Sequence, residues 1–343
     1  MPPNVKKKKK KTKSKISAAL DPPPSVQVKA LLKAYQASVY GHSTYVSPTI
    51  EEDLKHGIEK NQFVSKFILS GGANNRPVSL SCLVHAIRAV CYMKIREIYC
   101  WRTPISDSDI IDMALMLETP CWKNVSTIEL IDTGLSDFAL GRLSRTLPVG
   151  RLKKLVLDYN RFGDEGMANL LVCLTGNTEL QHLSVNYCGL TIPSGALIAE
   201  LLTKSTIVHL EVTGNALQCD GTAQLVDVLC TQDIPLKSLL IADNGIDPHG
   251  KGNQRGPFMT AKVIRRWLTC TQYLELCDLR DNDIGDLAAR ELMDGLTDRV
   301  TAGLKNIQLL VTCRIDAAIY KTIQSLGKKS KGGSKKKKKR KKK

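Results

Sequence analysis

A single pattern of apolar residues returns along most of this chain, and it limits the possible folds more than any other feature. The pattern is L-x-x-L-x-L-x-x-N-x-L, and its clearest copy runs from Leu152 to Phe162. Copies of differing quality begin at Val64, Ile95, Val125, Leu152, Leu180, Ile207, Leu236, Leu274 and Leu304. Successive starts lie 27 to 31 residues apart, except for one interval of 38 residues. Recurrence at a nearly constant period predicts a stack of similar units.

Each unit combines the pattern of a short strand with that of a helix. Leu155 and Leu157 are separated by one residue, which predicts a strand with an apolar inner face. Downstream, Leu170 and Leu174 follow at helical spacing, and Asp164 suits the first turn of a helix. Stacking such units predicts a curved array that has strands on its concave face and helices on its convex face.

The asparagine at the ninth place of the pattern is predicted to have a structural role. Asn160, for example, can bond backbone groups of the adjoining turn that would otherwise be buried without a partner. Thr103, Thr133 and Cys188 stand at this place in three other units. Because threonine keeps part of this bonding capacity and cysteine little, we expect looser turns at those three positions.

The cadence L-x-x-L-x-L-x-x-N-x-I-G-D-E-G-x-x-x-L-x-x-x-L is followed from Leu152 to Leu174 and again from Leu274 to Leu296. It resembles the ribonuclease-inhibitor-like class of leucine-rich repeats over residues 64–325. The resemblance implies an α/β fold, a leucine-rich-repeat solenoid in the shape of a horseshoe, with short parallel strands on the concave face and helices on the convex face. That class serves many partners, so it implies no particular function.

A narrower resemblance concerns the phrase Ile98-Tyr99-Cys100-Trp101, the divergent N-terminal region and the lysine-rich ends. Together they are similar to leucine-rich-repeat proteins of cilia and flagella. This resemblance implies a cytoskeletal setting.

We expect four segments along the chain. Residues 1–24 form a disordered basic tail, and residues 25–63 form a helical cap over the exposed N-terminal edge of the array. Residues 64–326 form the solenoid, which ends in a capping helix, and residues 327–343 form a disordered polybasic tail.

An insertion at residues 247–258 accounts for the interval of 38 residues. Its glycines and lysine lack the order G-x-x-x-x-G-K-[ST], so a phosphate-binding loop is not predicted. It is interpreted either as a loop that contacts a partner or as a tolerated surface insertion.

The net charge of +17 belongs to the two ends of the chain. Residues 1–15 hold eight lysines, residues 328–343 hold twelve lysines or arginines, and neither end has an acidic residue. The rest of the chain is left with 30 of the 50 basic residues against all 33 acidic ones. Contact with an acidic polymer is predicted for Lys6, Lys7, Lys8, Lys9, Lys10, Lys11, Lys335, Lys336, Lys337, Lys338, Lys339, Arg340, Lys341, Lys342 and Lys343.

The acidic partner of these tails is left open between the C-terminal tails of tubulin in microtubules, RNA and DNA. Flexible basic arms bind such polymers with little sequence specificity. Anionic lipid is disfavoured because no acylation motif or amphipathic anchor accompanies the charge. The run from Lys335 to Lys343 also matches a nuclear-localisation pattern.

A protein-binding surface is predicted on the concave face, at the third, fifth and seventh places of the units. The candidate residues are Tyr99, Trp101, Glu129, Ile131, Val156, Asp158, His182, His209, Glu211, Leu240, Asp278 and Arg280. Tyr99 and Trp101 are the strongest candidates because exposed aromatic residues concentrate binding energy. In the alternative interpretation, Trp101 packs beneath the N-terminal helices.

Neither a catalytic nor a metal site is predicted, and no cofactor is expected. The chain has no G-x-S-x-G, no H-E-x-x-H and no paired glycine-rich nucleotide motif. His182 and His209 fall on neighbouring strands near Glu211, but no third ligand is evident. None of the eleven cysteines is spaced as Cys-x-x-Cys, and several occupy core positions.

These features favour a non-enzymatic protein-binding scaffold of a cytoskeletal assembly, in the cytoplasm and in particular a cilium or flagellum. The alternative is a nuclear or nucleolar adaptor whose tails bind nucleic acid and direct import, and a regulator of an enzyme is a third hypothesis. No apolar run is long enough to span a bilayer and no secretory signal is present, so we expect a reduced, intracellular protein without membrane insertion.

Overall fold

The computed structural model describes residues 22–42, 44–70, 77–117, 119–144, 151–175, 177–249 and 253–327. In these residues, nine parallel strands form one sheet, and the strands follow each other across the sheet in chain order. The strands are β1 (Lys66–Ser70), β2 (Glu97–Trp101), β3 (Thr127–Ile131), β4 (Lys154–Val156), β5 (His182–Ser184), β6 (His209–Glu211), β7 (Ser238–Leu240), β8 (Leu276–Asp278) and β9 (Gln308–Leu310). The predicted α/β leucine-rich-repeat solenoid is confirmed.

Helices connect the strands and precede the first of them. They are α1 (Pro24–Gly41), α2 (Pro48–Glu59), α3 (Leu80–Ala89), α4 (Asp107–Leu117), α5 (Asp137–Ser144), α6 (Gly163–Leu174), α7 (Ile192–Thr203), α8 (Gln218–Thr231), α9 (Pro257–Cys270), α10 (Gly285–Thr301) and α11 (Ala317–Leu326). Each helix from α4 to α11 packs against the helix before it, so the helices form a second layer behind the sheet.

The two N-terminal helices pack against α3 and β1 at the first edge of the sheet. Each begins with proline, whose missing N–H costs nothing in the first turn of a helix. Tyr35 of α1 is fully buried, and its hydroxyl accepts a hydrogen bond from the backbone N–H of Ser47 at 3.1 Å. At the other edge, the Asp316 carboxylate caps α11 by accepting from Ala318 N and Ile319 N.

The core lies between the sheet and the helices, where the inward leucines of successive units stack on one another. Leu155, Leu183, Leu210 and Leu239 pair across neighbouring strands, and each has no exposed surface. Burial of aliphatic side chains in every unit is the main stabilising term of such an array.

The ninth-place asparagine joins two units, as the bonding of Asn160 shows. Its Oδ1 accepts from Thr133 N at 3.1 Å and Leu135 N at 3.0 Å, and its Nδ2 donates to Leu130 O at 2.7 Å and Leu157 O at 2.8 Å. Asn215 and Asn282 make equivalent bonds in their own units. The side chain therefore pairs backbone groups of its own turn and of the preceding one.

The expectation of looser turns at the other ninth-place residues is wrong. Asp132, before Thr133, has a φ of 53°, and Tyr187, before Cys188, has 55°, close to the 61° of Tyr159. The Cys188 thiol is buried and lies 3.3 Å from both Leu157 O and Asn186 O, in bonding distance of each. These turns keep their shape because bonds from neighbouring units hold them.

A second set of inter-unit bonds, absent from the sequence analysis, occurs in every other unit on the helical side. Asp164 of α6 accepts from Thr191 N at 2.8 Å, just before α7. Asp220 of α8 accepts from Gln254 N at 2.5 Å before α9, and Asp286 of α10 accepts from Asp316 N at 2.7 Å before α11. Each aspartate thus holds the entry of the following helix, which groups the units in pairs.

The insertion follows β7, where a loop is predicted, and its residues 250–252 lie outside the described residues. Its second half is bound to α8, because Asp220 also accepts from Arg255 N at 3.2 Å and the Arg255 guanidinium lies 3.7 Å from Asp227. The predicted contact residues of both basic tails also lie outside the described residues. Within the described part of the chain, every helix is too short or too polar to cross a bilayer.

Candidate protein-binding surface on the concave face

The register of the sheet arranges the outward side chains in rows that run across the strands. One row, for example, contains Tyr99, Glu129, Val156, Ser184, Glu211, Leu240 and Asp278. All twelve predicted concave residues lie on β2 to β8 or within two residues of a strand end. Neighbouring members of a row are about 4.8 Å apart, which brings their side chains into contact.

An aromatic cluster occupies the N-terminal part of this face. The Tyr99 and Trp101 rings pack edge to face, with centroids 5.4 Å apart. The Trp101 Nε1–H donates to Glu129 Oε2 at 3.2 Å, and Lys154 Nζ donates to Glu129 Oε1 at 2.8 Å. Burial, together with the carboxylates of Glu97 and Glu129, raises the pKa of Tyr99. The cluster is therefore held in one geometry before any partner arrives.

Trp101 is partly exposed on the concave face. The N-terminal helices pack against α3 and β1. The polar partner of the indole is Glu129, a residue of the concave row on β3. Trp101 thus lies on the concave face beside Glu129, and its role in binding a partner stays a prediction.

A polar network occupies the centre of the face. Asp158 accepts from Ser184 Oγ at 2.7 Å, from Asn186 N at 2.9 Å and from Asn186 Nδ2 at 3.1 Å. Glu211 lies 3.0 Å from His182 Nε2 and accepts from Asn186 Nδ2 at 3.3 Å. Burial raises the pKa of Asp158 against the opposing effect of these bonds, whereas the contact with His182 lowers the pKa of Glu211. The network links three adjacent units through side chains and one backbone N–H, that of Asn186.

The two histidines lie side by side without forming a metal site. The ring centroids of His182 and His209 are 6.0 Å apart, and His209 Nδ1 lies 2.8 Å from Ser238 Oγ. Burial, followed by the nearby His182 and Lys237, lowers the pKa of His209. Across the described ranges, no three His, Cys, Asp or Glu side chains are grouped to hold a metal ion.

Three of the predicted contact residues are buried by their neighbours. Val156 is 6% exposed, Glu129 8% and Asp278 4%. For Asp278 the cause is Arg280, whose Nε and Nη2 donate to its carboxylate at 2.9 and 2.6 Å. The prediction that these three residues offer contact area to a partner is wrong, because little of their surface is exposed. Arg280 itself is exposed. Neighbouring side chains, such as Arg280 two residues beyond Asp278, therefore cover part of the concave face.

Sequence reasoning missed the most exposed aromatic pair near this face. Tyr159 is 54% exposed and Tyr187 39% exposed, and their rings stack at 4.8 Å with an interplanar angle of 8°. Both stand at the eighth place of their units, immediately before Asn160 and Cys188, at the carboxyl edge of the strands. The recurrence of tyrosine at that place is the available signal, whereas the predicted surface takes in only the third, fifth and seventh places.

A cavity of about 1020 Å³ lies at the C-terminal end of the array. It opens beside the amino ends of β8 and β9, whereas the two tyrosines follow the carboxyl ends of β4 and β5. Leu274, Leu304 and Ile323 contribute its apolar walls, and Glu275 and Lys305 lie at its polar margin. Its lining contains no histidine, cysteine or serine.

The comparisons with known proteins agree with this architecture. A family model described as a leucine-rich repeat matches residues 152–171. The chain is 24% identical over 207 residues to the ribonuclease inhibitor of Sus scrofa, which covers 59% of this chain and 42% of the inhibitor. The chain contains a leucine-rich-repeat array that is similar to part of the ribonuclease inhibitor. Such arrays generally present a binding surface rather than an enzyme active site.

Other relatives share parts of the repeat array. Human NACHT, LRR and PYD domains-containing protein 13 is 25% identical over 170 residues, covering 48% of this chain and 15% of that protein. The Caenorhabditis elegans protein phosphatase 1 regulatory subunit 37 homolog is 28% identical over 166 residues, covering 46% and 16%. The chain therefore spans less than half the length of each of these relatives. A solved structure of the Caenorhabditis elegans tropomodulin C-terminal domain has a TM-score of 0.33 and 11% identity, over 56% of this chain and 90% of that domain.

Proposed function

We propose that this leucine-rich-repeat protein is a non-enzymatic scaffold of a cytoskeletal assembly associated with microtubules, of the kind found in cilia and flagella. The solenoid docks one protein partner on its concave face or on the 247–258 loop. The lysine-rich tails hold an acidic lattice formed by the C-terminal tails of tubulin.

The observation that carries the docking part is the prearranged concave face. Trp101, Glu129 and Lys154 are fixed to each other by bonds of 2.8 to 3.2 Å, and Asp158, Ser184 and Asn186 by bonds of 2.7 to 3.1 Å. A surface that is already ordered loses little side-chain entropy on binding, so more of the contact energy becomes affinity. The names of two relatives, an inhibitor of ribonuclease and a regulatory subunit of a phosphatase, support the view that related arrays act by binding proteins.

The separation of charge supports the lattice part. Residues 1–15 and 328–343 of the tails carry 20 basic residues and no acidic ones, whereas the rest of the chain has 30 basic and 33 acidic residues. Attraction between such tails and a polyanion is long-ranged at low salt and screened at high salt. The tails therefore supply attachment to an acidic surface while the solenoid supplies the choice of protein partner.

Co-sedimentation of the full chain with microtubules tests this proposal. Untreated microtubules are compared with microtubules from which protease has removed the acidic C-terminal tails of tubulin. The matched variant has glutamine in place of every Lys and Arg from 335 to 343 and of every Lys from 6 to 11, which removes charge at constant length. We expect binding to untreated microtubules, a decrease of at least tenfold with either change, and a steep decrease with salt. Equal binding by the charged and neutral chains would rule out the lattice role.

The second candidate is a nuclear or nucleolar adaptor, which the lysine run at residues 335–343 favours. A tag placed inside the 247–258 loop leaves both tails free, and its position after detergent extraction separates the candidates. Retention on axonemes or basal bodies supports the cytoskeletal scaffold. Signal in the nucleus, with RNA or DNA crosslinks that disappear in the neutral-tail variant, supports the adaptor.

A further inference from the structure

The residues at the eighth place of successive units share an unusual backbone conformation. Each has a positive φ and ends the strand segment of its unit at the same edge of the sheet. In chain order they are Arg102 (51°), Asp132 (53°), Tyr159 (61°), Tyr187 (55°), Gly214 (70°), Asp243 (50°) and Asp281 (57°). Together they form a row of side chains along the rim of the concave face, which we call the rim row.

Tyrosine is an unexpected residue type in this row. Glycine adopts a positive φ without cost, and aspartate is tolerated there, whereas a residue with a bulky side chain meets a steric penalty. Gly214 and three aspartates follow this rule, whereas Arg102, Tyr159 and Tyr187 do not. Their rings are not buried to offset the penalty, since they are 54% and 39% exposed. Strain at an exposed aromatic position points to a role outside folding.

The stack is held rigidly in place. Tyr159 N donates to Asn186 O and Tyr187 N donates to Thr213 O, both at 2.8 Å, so each backbone is tied to the next strand. A Cβ added at Gly214 would lie 2.1 Å from Tyr187 Cε1, which shows that the Tyr187 ring lies flat on the Gly214 backbone. Tyr187 is thus covered on both faces, by Gly214 and by Tyr159. Tyr159, with 54% of its surface exposed, is the more accessible ring of the two.

Three aspartates of the rim row flank the stack, and Arg102, the exposed member of the row one strand before Asp132, offsets part of their charge. Asp132 precedes Tyr159 by one strand, and its N–H donates to Asp158 O at 2.9 Å, which confirms that the two turns are adjacent. Asp243 and Asp281 continue the row beyond Gly214. Burial is the first cause of the raised pKa of Tyr187, and Asp243 and Asp281 also contribute, so their negative potential reaches the ring. Arg161 is the exposed cation nearest to Tyr159 in sequence.

We propose that the rim row receives an arginine side chain from an extended segment of the protein partner, a role that rests on the proposed scaffold function. The guanidinium stacks on the outer face of Tyr159 and pairs with the Asp132 carboxylate. A planar guanidinium can stack on a ring with its face and bond a carboxylate with its edge at the same time, whereas an ammonium group has no flat face to stack. The neighbouring acidic residues attract a segment of positive charge.

The test measures fluorescence anisotropy of the full chain with a labelled peptide of alternating serine and arginine. The comparison peptides have lysine or citrulline in place of arginine, the second being a neutral isostere. Tyr159→Asn removes the ring at a residue type that tolerates positive φ, and Tyr159→Phe keeps the ring. Tyr273→Ala is the control, because Tyr273 is likewise an exposed tyrosine, at 39%, but lies before β8, outside the rim row.

We expect Tyr159→Asn and Asp132→Asn to weaken binding of the arginine peptide about 3- to 30-fold, and Tyr159→Phe and Tyr273→Ala to leave it unchanged. The Tm of Tyr159→Asn should be equal to or above that of the unchanged chain, because backbone strain is relieved. Equal binding of the arginine and citrulline peptides, or unchanged binding by Tyr159→Asn, would overturn the proposal. A marked decrease in the Tm of Tyr159→Asn would also overturn it, since the ring would then serve folding. Neither result bears on microtubule attachment, which is measured separately with the tails.

Discussion

The hydrogen bonds of the ninth-place asparagines lead to a quantitative prediction, since two adjacent units have different residues at that place. Asn160 and Cys188 are both fully buried and stand at the ninth place of adjacent units. Asn160→Ala removes the partners of Thr133 N, Leu135 N and Leu130 O. Each buried polar group left unpaired costs about 1–3 kcal/mol. We expect a loss of roughly 3–5 kcal/mol in the free energy of unfolding, since the turns relax partly.

Cys188→Ala is the matched control. The carbonyl groups near its thiol keep stronger donors, because Leu157 O accepts from Asn160 Nδ2 at 2.8 Å and Asn186 O accepts from Tyr159 N at 2.8 Å. Only a small cavity and a weak thiol interaction are lost, which together cost about 1–2 kcal/mol. The expected difference between the two variants is therefore on the order of 2 kcal/mol or more.

Urea unfolding measures this difference, with far-UV circular dichroism and tryptophan fluorescence recorded on the same samples. Coincident transitions and equal m-values in all three proteins make the midpoints comparable. The reasoning is refuted if Cys188→Ala costs as much as Asn160→Ala, because hydrogen bonding at the ninth place would then not stabilise the turn more than packing does. A change in the m-value alone would indicate instead that the N-terminal and C-terminal units no longer unfold together.

Three other perturbations have outcomes that follow from the contacts. Arg299 is 1% exposed, and its guanidinium donates to the carbonyl groups of Leu268, Thr271 and Lys305. Arg299→Met should therefore lower the free energy of unfolding by about 3–5 kcal/mol and increase hydrogen exchange mainly in α9 to α11. An equal loss of protection in α3 to α6 would contradict this. A Cβ at Gly195 would lie 2.2 Å from Gly221 O, so Gly195→Ala should lower stability by about 1–3 kcal/mol. Gly41→Ala is the control and should not lower stability, because a Cβ there meets no atom within 4 Å. Equal changes in Tm for both variants in thermal melts would show that the contact between helices is unimportant. Burial raises the pKa of Asp109, but hydrogen bonds from Ser106, Ser81 and Ser79 outweigh burial and hold that pKa below its usual value. The ionised carboxylate therefore stabilises the fold above about pH 4, and this contribution is lost as the pH falls further. Asp109→Asn should flatten the dependence of Tm on pH between 5 and 3, and an unchanged slope would show that another group dominates.

The repeat made most of the architecture predictable from sequence. Leucines at fixed places of each unit, such as Leu155, Leu183 and Leu210, indicate both the strand and the face that it buries. In a stacked array each unit contacts its neighbours in the chain, so sequence order gives spatial order and the rows of outward residues follow from alignment. Which residues share the concave face was therefore accessible without coordinates.

The surface left by those residues was decided only by the tertiary structure. Glu129, Val156 and Asp278 occupy outward places and are nevertheless buried, because exposure depends on the size and bonding of neighbouring side chains, both on the next strand and further along the same unit. The stack of Tyr159 on Tyr187 likewise depends on turns that share a left-handed backbone and on the bare backbone of Gly214. Sequence periodicity determined the direction of each side chain, and packing between units determined whether it bonds a neighbour or remains available to a partner.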